Sequence, residues 1–561
     1  MTSINERLES VDDAHRNGGL AVIAALAAHG VDTVFGIPGT HNLEFYRHLE
    51  TFGIRAITPR HEQGAGYGAD GYYLLSGKPG VVITTSGPGL TNVITAAATA
   101  YAESRPMLIL SPGVPNGLER ADVGLLHETK ATAEAIDNLL VGSKRTRTAE
   151  GAAAAVSEAF ARFNSERPGP IHIEVPLDVL EGPWHGTAEV PRTIQPTQPA
   201  DAVVTEAAQA LTNAERPLII AGGGARRMAG PLTALAEKLD APLVTTANGK
   251  GAIDESHPLA LGASVRFPSV QKESQTADVL LVIGSELADS DLWGGRIGAR
   301  GVNSWDHLGC RPDQPADQPA QTVIRCDIDP DQLHKNLPGD ILVPSDSRAF
   351  VDALSRELGE QPARGGAERA AELNREWQGE FPDGVGVWTA RAIAAAAGGP
   401  GTVIAGDSSQ VTYDGAVHAL EARTEDQLLY MPGFATLGYG IPAAIGAKLA
   451  DPDRPVVVHV GDGAAMFSIQ EVMTAVELRL GIPMVIVDNG GYAEIEAQME
   501  ERSIDPFAVH LARPNFAALG TAFGGKGVEL SASDPDCADQ LERAVSEALG
   551  ADVPTLIHVT V

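Results

Sequence analysis

Cysteine is scarce in this chain. There are three in 561 residues, Cys310, Cys326 and Cys537, scattered without metal-ligand spacing. The count leaves a thiol over, which fits a reducing cytoplasm. No apolar run approaches the roughly 20 residues that a membrane-spanning helix needs. The first residues, MTSINERLESVDDAHRNGG, are polar and acidic, with no basic-then-apolar signal pattern. Basic side chains are few as well: 41 Lys and Arg stand against 73 Asp and Glu, a formal charge of −32. Nucleic acid and anionic membrane each need a basic face, so neither is expected as a partner. An acidic field can attract a cationic substrate, although a solvated acidic surface accounts for the same composition. The expectation is a soluble, cytoplasmic protein.

What is present is an apolar content of 43% with 61 Gly and 37 Pro, the composition of a globular, turn-rich α/β protein. The length suggests three domains of ordinary size. The most informative stretch is Val456 to Glu494. VVVHV and MVIVD are β-branched runs, and between them Ile469, Val472, Met473, Val476 and Leu480 recur at helical spacing. A right-handed strand-helix-strand crossover places Gly461-Asp462-Gly463 and Asn489-Gly490-Gly491 at adjacent carboxyl ends, where ligands bind. A carboxylate, an amide oxygen and glycine carbonyls are hard donors suited to Mg²⁺ or Ca²⁺. The helix expected to open at about Phe467 and run to about Leu480 would offer free N–H groups to a phosphate. A metal-bridged diphosphate fits these pieces.

Strands alternating with helices fill the rest of the chain, which predicts parallel sheets covered on both faces. PWHGTAEVPRTIQPTQPA and GEQPARGGAE read as linkers. They divide the chain into doubly wound domains at 1–183, 200–358 and 369–561, the first and third alike in architecture. Gly222-Gly223-Gly224 after the strand LIIA could bind phosphate, but without the full fingerprint it reads rather as a tight turn.

Gly-Asp-Gly followed at this distance by Asn resembles the motif of thiamine-diphosphate (ThDP) enzymes, in their acetolactate synthase and 2-oxo acid decarboxylase branch. The resemblance implies pyrimidine-binding, central and diphosphate-binding domains over almost the whole chain, with ThDP and Mg²⁺ as cofactors. It assigns Asp462, Asn489 and the Gly491 carbonyl to the metal, with Gly463, Ala464 and Tyr492 beside the cofactor. Asp488 departs from the usual Asn at its position. Glu62, in RHEQGAG, matches the catalytic glutamate that partners the aminopyrimidine, with small residues behind it that permit close approach. Ser408, Ser409 and Gln410 match a diphosphate loop, and Ser86 to Asn92 the loop reaching the cofactor from the first domain. Ala435 matches the carbonyl that accepts from the aminopyrimidine. Leu437 matches the wedge under the cofactor, where acetolactate synthases often carry Met.

Thr40, His41, His127 and Glu494 match substrate-facing positions, with His41 and His127 as proton donors. Glu494 stands where acetolactate synthases usually have an apolar residue, and a carboxylate there would favour a guanidinium. GGYAEI and GIPGTHNLEFYRHL look most like 5-guanidino-2-oxopentanoate decarboxylases. The implied activity is non-oxidative decarboxylation of a 2-oxo acid. Acetolactate synthase-like carboligation, a carboxyethylarginine synthase-like reaction and a non-catalytic ThDP-fold scaffold stay open. The family also implies a homodimer or dimer of dimers whose subunits share active sites. No flavin site is identified in 200–360, so FAD is an unsupported alternative.

Overall fold

A computed structural model of the chain describes residues 3–188, 191, 194–303, 306, 320–381, 383–398 and 401–561. Cys310 lies outside the described residues, while Cys326 and Cys537 are buried free thiols. The first sheet holds β1 (Thr33–Gly36), β2 (Arg55–Ile57), β3 (Gly80–Ile83), β4 (Met107–Gly113), β5 (Gly142–Arg145) and β6 (Pro170–Pro176), in the order β2-β1-β3-β4-β6-β5. The central sheet holds β7 (Pro217–Ala221), β8 (Leu243–Thr245), β9 (Val279–Ile283), β10 (Thr322–Asp327) and β11 (Ile341–Pro344), in the order β11-β10-β9-β7-β8. The third holds β12 (Val403–Ala405), β13 (Leu428–Leu429), β14 (Val456–Gly461), β15 (Pro483–Asp488), β16 (Lys526–Ser531) and β17 (Thr555–Thr560), in the order β13-β12-β14-β15-β17-β16.

Every pairing between these strands is parallel. Counted from its own first strand, the third sheet repeats the order of the first. Helices cover both faces, so interior strands such as VVVHV and MVIVD are buried throughout. The edge strands β5, β13 and β16 are not among the apolar runs noted above, because an edge needs no continuous apolar sequence.

One helix differs from expectation. The connection after β14 opens at Asp462, not at Phe467, and is broken into a helix Asp462–Ala465, a 3₁₀ turn Ile469–Glu471 and a helix Val472–Glu477. The break coincides with Glu471, whose buried carboxylate turns away to accept the backbone N–H of Arg60 and His61.

The domains are packed together through glycine. A Cβ on Gly71 would lie 2.1 Å from the Ala443 carbonyl oxygen, and one on Gly446 would lie 1.9 Å from that of Gly68. The helices Glu62–Ser76 and Gly440–Ala450 therefore touch backbone to backbone. Gly64 admits the Glu471 carboxylate, 2.5 Å from where its Cβ would stand. Of the small residues behind Glu62, Gly64 thus makes room for the third domain and Gly66 for Ala96 of the first.

Both expected linkers are tied down where they are described. Trp184 is buried, and its backbone N–H donates to the Arg16 carbonyl. Arg364 donates to the carbonyls of Leu211, Thr212, Ala214 and Leu239. The helix Gly366–Glu380 puts Ala370, Leu373 and Trp377 into the central domain's core beside Phe267 and Val270. By packing, the expected start of the third domain at 369 falls inside a helix of the central one.

Candidate active site

In the first and third sheets the strand order reverses between the first strand and the third, β1 and β3 in one, β12 and β14 in the other. Crevices at such points are where open α/β sheets bind ligands. Each crevice collects part of the expected site.

In the first crevice, the buried Asn42 closes the loop after β1, accepting from the Gly39 N–H at 2.8 Å and donating to the Ile37 carbonyl at 3.0 Å. This puts Thr40 and His41 at the loop tip, with Thr40 exposed. Ser86 follows β3, and its Oγ lies 2.6 Å from His41 Nδ1 and 3.2 Å from His127 Nδ1. The two rings meet edge to face, 5.3 Å between centroids. His127 is carried by a loop folded around the Glu128 carboxylate, which accepts from the N–H groups of Asp122, Gly124 and Leu125. His127 adopts φ +62°, and Gly87 at φ +60° lets it approach, since a Cβ there would stand 2.7 Å from the His127 Cβ. Burial, and then the neighbouring His127, push the His41 pKa below its ordinary value. A cavity of about 820 Å³ opens beside the pair.

Glu62 is the first residue of its helix, capped by His61, and is buried. Asn92 Nδ2 donates to its Oε2 at 3.0 Å, and Gly89 leaves room beside Oε1, 3.3 Å from where a Cβ would stand. Asn92, matched to the cofactor by sequence, spends its amide on Glu62.

In the third-domain crevice, Asp407 follows β12. Its carboxylate accepts from the N–H groups of Ser408, Gly438 and Gly440, clasping the turn that carries Leu437. Burial pushes its pKa up to about 7 against these hydrogen bonds. Ala435 is held at φ +52°, a strained conformation for a residue with a side chain. Ser409 Oγ accepts from the Gly461 N–H at 3.3 Å, joining the loops after β12 and β14. Gly463 gives the Tyr492 ring room, a Cβ there falling 2.9 Å from the ring.

β14 and β15 are neighbours in register, Gly461 opposite Val487, which brings Asp462 and Asn489 together. As placed, the Asn489 amide oxygen faces two other oxygens, Asp462 Oδ1 at 3.2 Å and the Gly491 carbonyl at 3.1 Å. Turning the amide over would make both hydrogen bonds. An octahedral Mg²⁺ with oxygen ligands at about 2.1 Å spaces adjacent ligands about 3.0 Å apart, and the Asn489 oxygen stands at about that spacing from each of the other two. Burial, and then Asp488, raise the Asp462 pKa, the environment of a carboxylate that a cation would relieve. The departure at Asp488 is compensated in space: its buried carboxylate meets His558 Nε2 at 2.8 Å and Arg513 Nε at 3.1 Å. Neither partner is signalled in the sequence, since both come from later elements.

Ser408, Ser409, Gln410, Ala435, Leu437, Asp462, Gly463, Ala464, Asn489, Gly491, Tyr492 and Glu494 all line one cavity of about 530 Å³. Glu494 accepts from Gln410 Nε2 at 3.1 Å, the Tyr413 hydroxyl at 3.3 Å and Gln498 Nε2 at 2.9 Å. Among the described residues no Lys, Arg or His pairs with it. Glu496 instead pairs with His510 at 3.3 Å, and neither Glu500 nor Glu501 lines the cavity. Sequence reasoning missed Trp293, Tyr413 and Tyr430, which form an aromatic wall of this cavity. Trp293 arrives from the central domain, a contact without a local sequence signal.

The two halves stay apart within one chain. The cavity at Asp462 contains no first-domain residue, the cavity at His41 contains no third-domain residue, and Glu62 lines neither. In the central sheet, Gly222 and Gly224 are explained by close approach to Gly284, whose carbonyl oxygen would lie 2.3 Å from a Cβ on Gly222.

Three sheets of this order, with polar residues at paired crevices, define a cofactor-dependent α/β enzyme. The chain matches the models of the thiamine pyrophosphate enzyme N-terminal TPP binding domain at residues 16–139, central domain at 204–354 and C-terminal TPP binding domain at 407–559. It belongs to the thiamine pyrophosphate enzymes. It is 37% identical to a "Probable 2-ketoarginine decarboxylase AruI" of Pseudomonas aeruginosa, over 96% of this chain and 93% of that protein. It is 30% identical to the acetolactate synthase isozyme 2 large subunit of Escherichia coli, over 97% and 95%. The fold is shared with the crystal structure of benzoylformate decarboxylase from Polynucleobacter necessarius, with a TM-score of 0.79 at 23% identity over 97% of this chain and 98% of that one. No helix among the described residues is long and apolar enough to cross a membrane.

Proposed function

We propose that this enzyme decarboxylates a 2-oxo acid carrying a cationic guanidino side chain, using ThDP and Mg²⁺. The observation that carries the substrate reading is Glu494. It is a carboxylate in the wall of the 530 Å³ cavity with three neutral hydrogen-bond donors and no cationic partner among the described residues. A guanidinium pairs with a carboxylate through two parallel hydrogen bonds, and the Tyr413 ring can flank it, with Trp293 already carrying Arg266 over its ring at 4.4 Å. The likeness to a probable 2-ketoarginine decarboxylase supports the same reading.

Asp462, Asn489 and the Gly491 carbonyl would hold the metal, and Ser408, Ser409 and Gln410 the diphosphate. Bound ThDP supplies the nucleophile and the sink for the electron pair left when CO₂ departs. Glu62, positioned by Asn92, would be the acid that partners the aminopyrimidine. Leu437, in the wall of the same cavity, would serve as the wedge that holds the cofactor's shape. His41 and His127 provide the proton that the aldehyde product must gain. Because one chain keeps Glu62 and Asp462 in separate places, the working site needs a second copy, the first-domain half of one subunit closing the third-domain half of another.

A panel of 2-oxo acids with products identified by mass tests the proposal. Aldehyde and CO₂ from 5-guanidino-2-oxopentanoate, with Glu494→Gln raising KM for it about 10- to 100-fold and leaving pyruvate unaffected, is the expected outcome. Acetolactate from pyruvate alone would replace it with a carboligase, and product only in the presence of arginine would point to a carboxyethylarginine synthase-like reaction.

A further inference from the structure

Ser86 occupies an unusual place between two imidazoles. Its hydroxyl lies 2.6 Å from His41 Nδ1 and 3.2 Å from His127 Nδ1. Among the described residues neither ring bonds any other side chain. The charged groups around the pair, Glu181 near His41 and Glu119, Arg120, Lys130, Glu134, Arg145, Arg147 and Glu174 around the cavity, act on it only through space.

A hydroxyl has one proton to donate. It can therefore donate to only one of the two Nδ1 atoms, and the other Nδ1 must carry a proton and donate to the oxygen. With both rings neutral, they are forced into opposite tautomers: one presents Nε2–H and the other a bare Nε2. A proton taken up at the bare Nε2 lets that ring pass its Nδ1 proton to Ser86 Oγ. Ser86 passes its own proton to the other Nδ1, and that ring releases the proton on its Nε2. One proton enters, one leaves, and the serine is unchanged.

We infer that Ser86 is a relay that makes His41 and His127 a single proton-transfer unit rather than two independent acids. The inference rests on the decarboxylase reading for its use, because converting a 2-oxo acid anion to aldehyde and CO₂ consumes one proton per turnover. The 820 Å³ cavity, which both rings and Ser86 line, gives that proton a route from solvent. Gly87 is part of the device, since a side chain there would push His127 out of reach. The same geometry adds to the sequence expectation for Ser86: its hydroxyl faces both imidazoles.

The test compares wild-type holoenzyme with Ser86→Ala and Ser86→Thr. Ser86→Ala is expected to lower kcat about 10- to 100-fold and to shrink its solvent deuterium effect. KM and ThDP affinity should stay within about twofold. Ser86→Thr, which keeps a hydroxyl, should restore most of kcat. At fixed pH, ¹⁵N shifts of labelled histidine should show one Nδ1–H and one Nε2–H ring in the wild type, and two Nε2–H rings in Ser86→Ala. The relay is overturned if Ser86→Ala keeps kcat, if Thr fails to rescue, if ThDP affinity falls in step with kcat, or if both wild-type rings are Nε2–H. If the wild type releases no aldehyde from any 2-oxo acid, the decarboxylase reading fails, and the tautomer pattern still decides the relay.

Discussion

Arg105 is where the three domains meet, and replacing it tests whether that junction shapes the site. The side chain is 4% exposed. It donates to Asp70 Oδ2 at 2.7 Å and the Tyr439 hydroxyl at 3.2 Å, and to Asn248 Oδ1 at 3.0 Å and the Tyr430 carbonyl at 2.6 Å. Asp70 belongs to the first domain, Asn248 to the central one, and Tyr430 and Tyr439 bracket the segment carrying Ala435 and Leu437.

Arg105→Met keeps the length and removes the charge. It strands the Tyr430 carbonyl and Asn248 Oδ1 at about 1–3 kcal/mol each. It also leaves the buried Asp70 carboxylate with the Tyr439 hydroxyl alone, at 2.6 Å. Breaking a buried pair on one side costs about 3–5 kcal/mol in all. Urea unfolding should show that loss, and ThDP affinity should fall with it because the bracketing tyrosines loosen. Arg105→Met with Asp70→Leu should lose less than Arg105→Met alone, since the Asp70 charge goes with its partner and only Glu103, 4.0 Å from the guanidinium, is left without its cation. A loss under about 1 kcal/mol for the single variant, or strict additivity of the two changes, would refute the reasoning.

Other predictions follow the same geometry. Glu62→Gln should bind ThDP, measured by calorimetry, while turnover drops by about 10²- to 10⁴-fold; unchanged turnover would show Glu62 is not the acid. Chelation should abolish activity and Mg²⁺ restore it, whereas Asp462→Asn should need far more Mg²⁺ for half-maximal activity, read by titration. His172 is buried between the Ser111 and Ser143 hydroxyls, both at 2.8 Å, and burial pulls its pKa down to about 3. A ring kept neutral in the fold but free to charge when unfolded loses its stability contribution as pH falls from about 6.5 towards 3. His172→Asn, which carries no such cost, should therefore close its stability deficit against the wild type by about 2 kcal/mol between pH 6.5 and 5, measured by denaturation at both pH values.

Much of the site was legible because its parts are local. Gly461-Asp462-Gly463 and Asn489-Gly490-Gly491 sit directly after apolar strands, and a parallel crossover leaves few choices for where strand ends fall. Glu62 was legible by its glycine-rich helix start, although those glycines also serve packing, Gly64 against Glu471 and Gly66 against Ala96. The helix expected from Phe467 was misplaced because its apolar spacing continues through a break made by a contact with the distant Arg60 and His61. The roles of Ser86 and Asn92 were read from a loop motif, and only the fold shows their side chains turned to His41, His127 and Glu62.

The order of elements along this chain, its parallel sheets and the oxygen donors at two neighbouring strand ends were determined by residue type and spacing, because each depends on a few consecutive positions. Tertiary structure decided that Ser86 meets both His41 and His127, that Glu494 meets only neutral donors among the described residues, and that Glu62 stays out of the cavity at Asp462 within one chain. Those facts depend on side chains brought together from hundreds of residues apart, and no local pattern encodes such meetings.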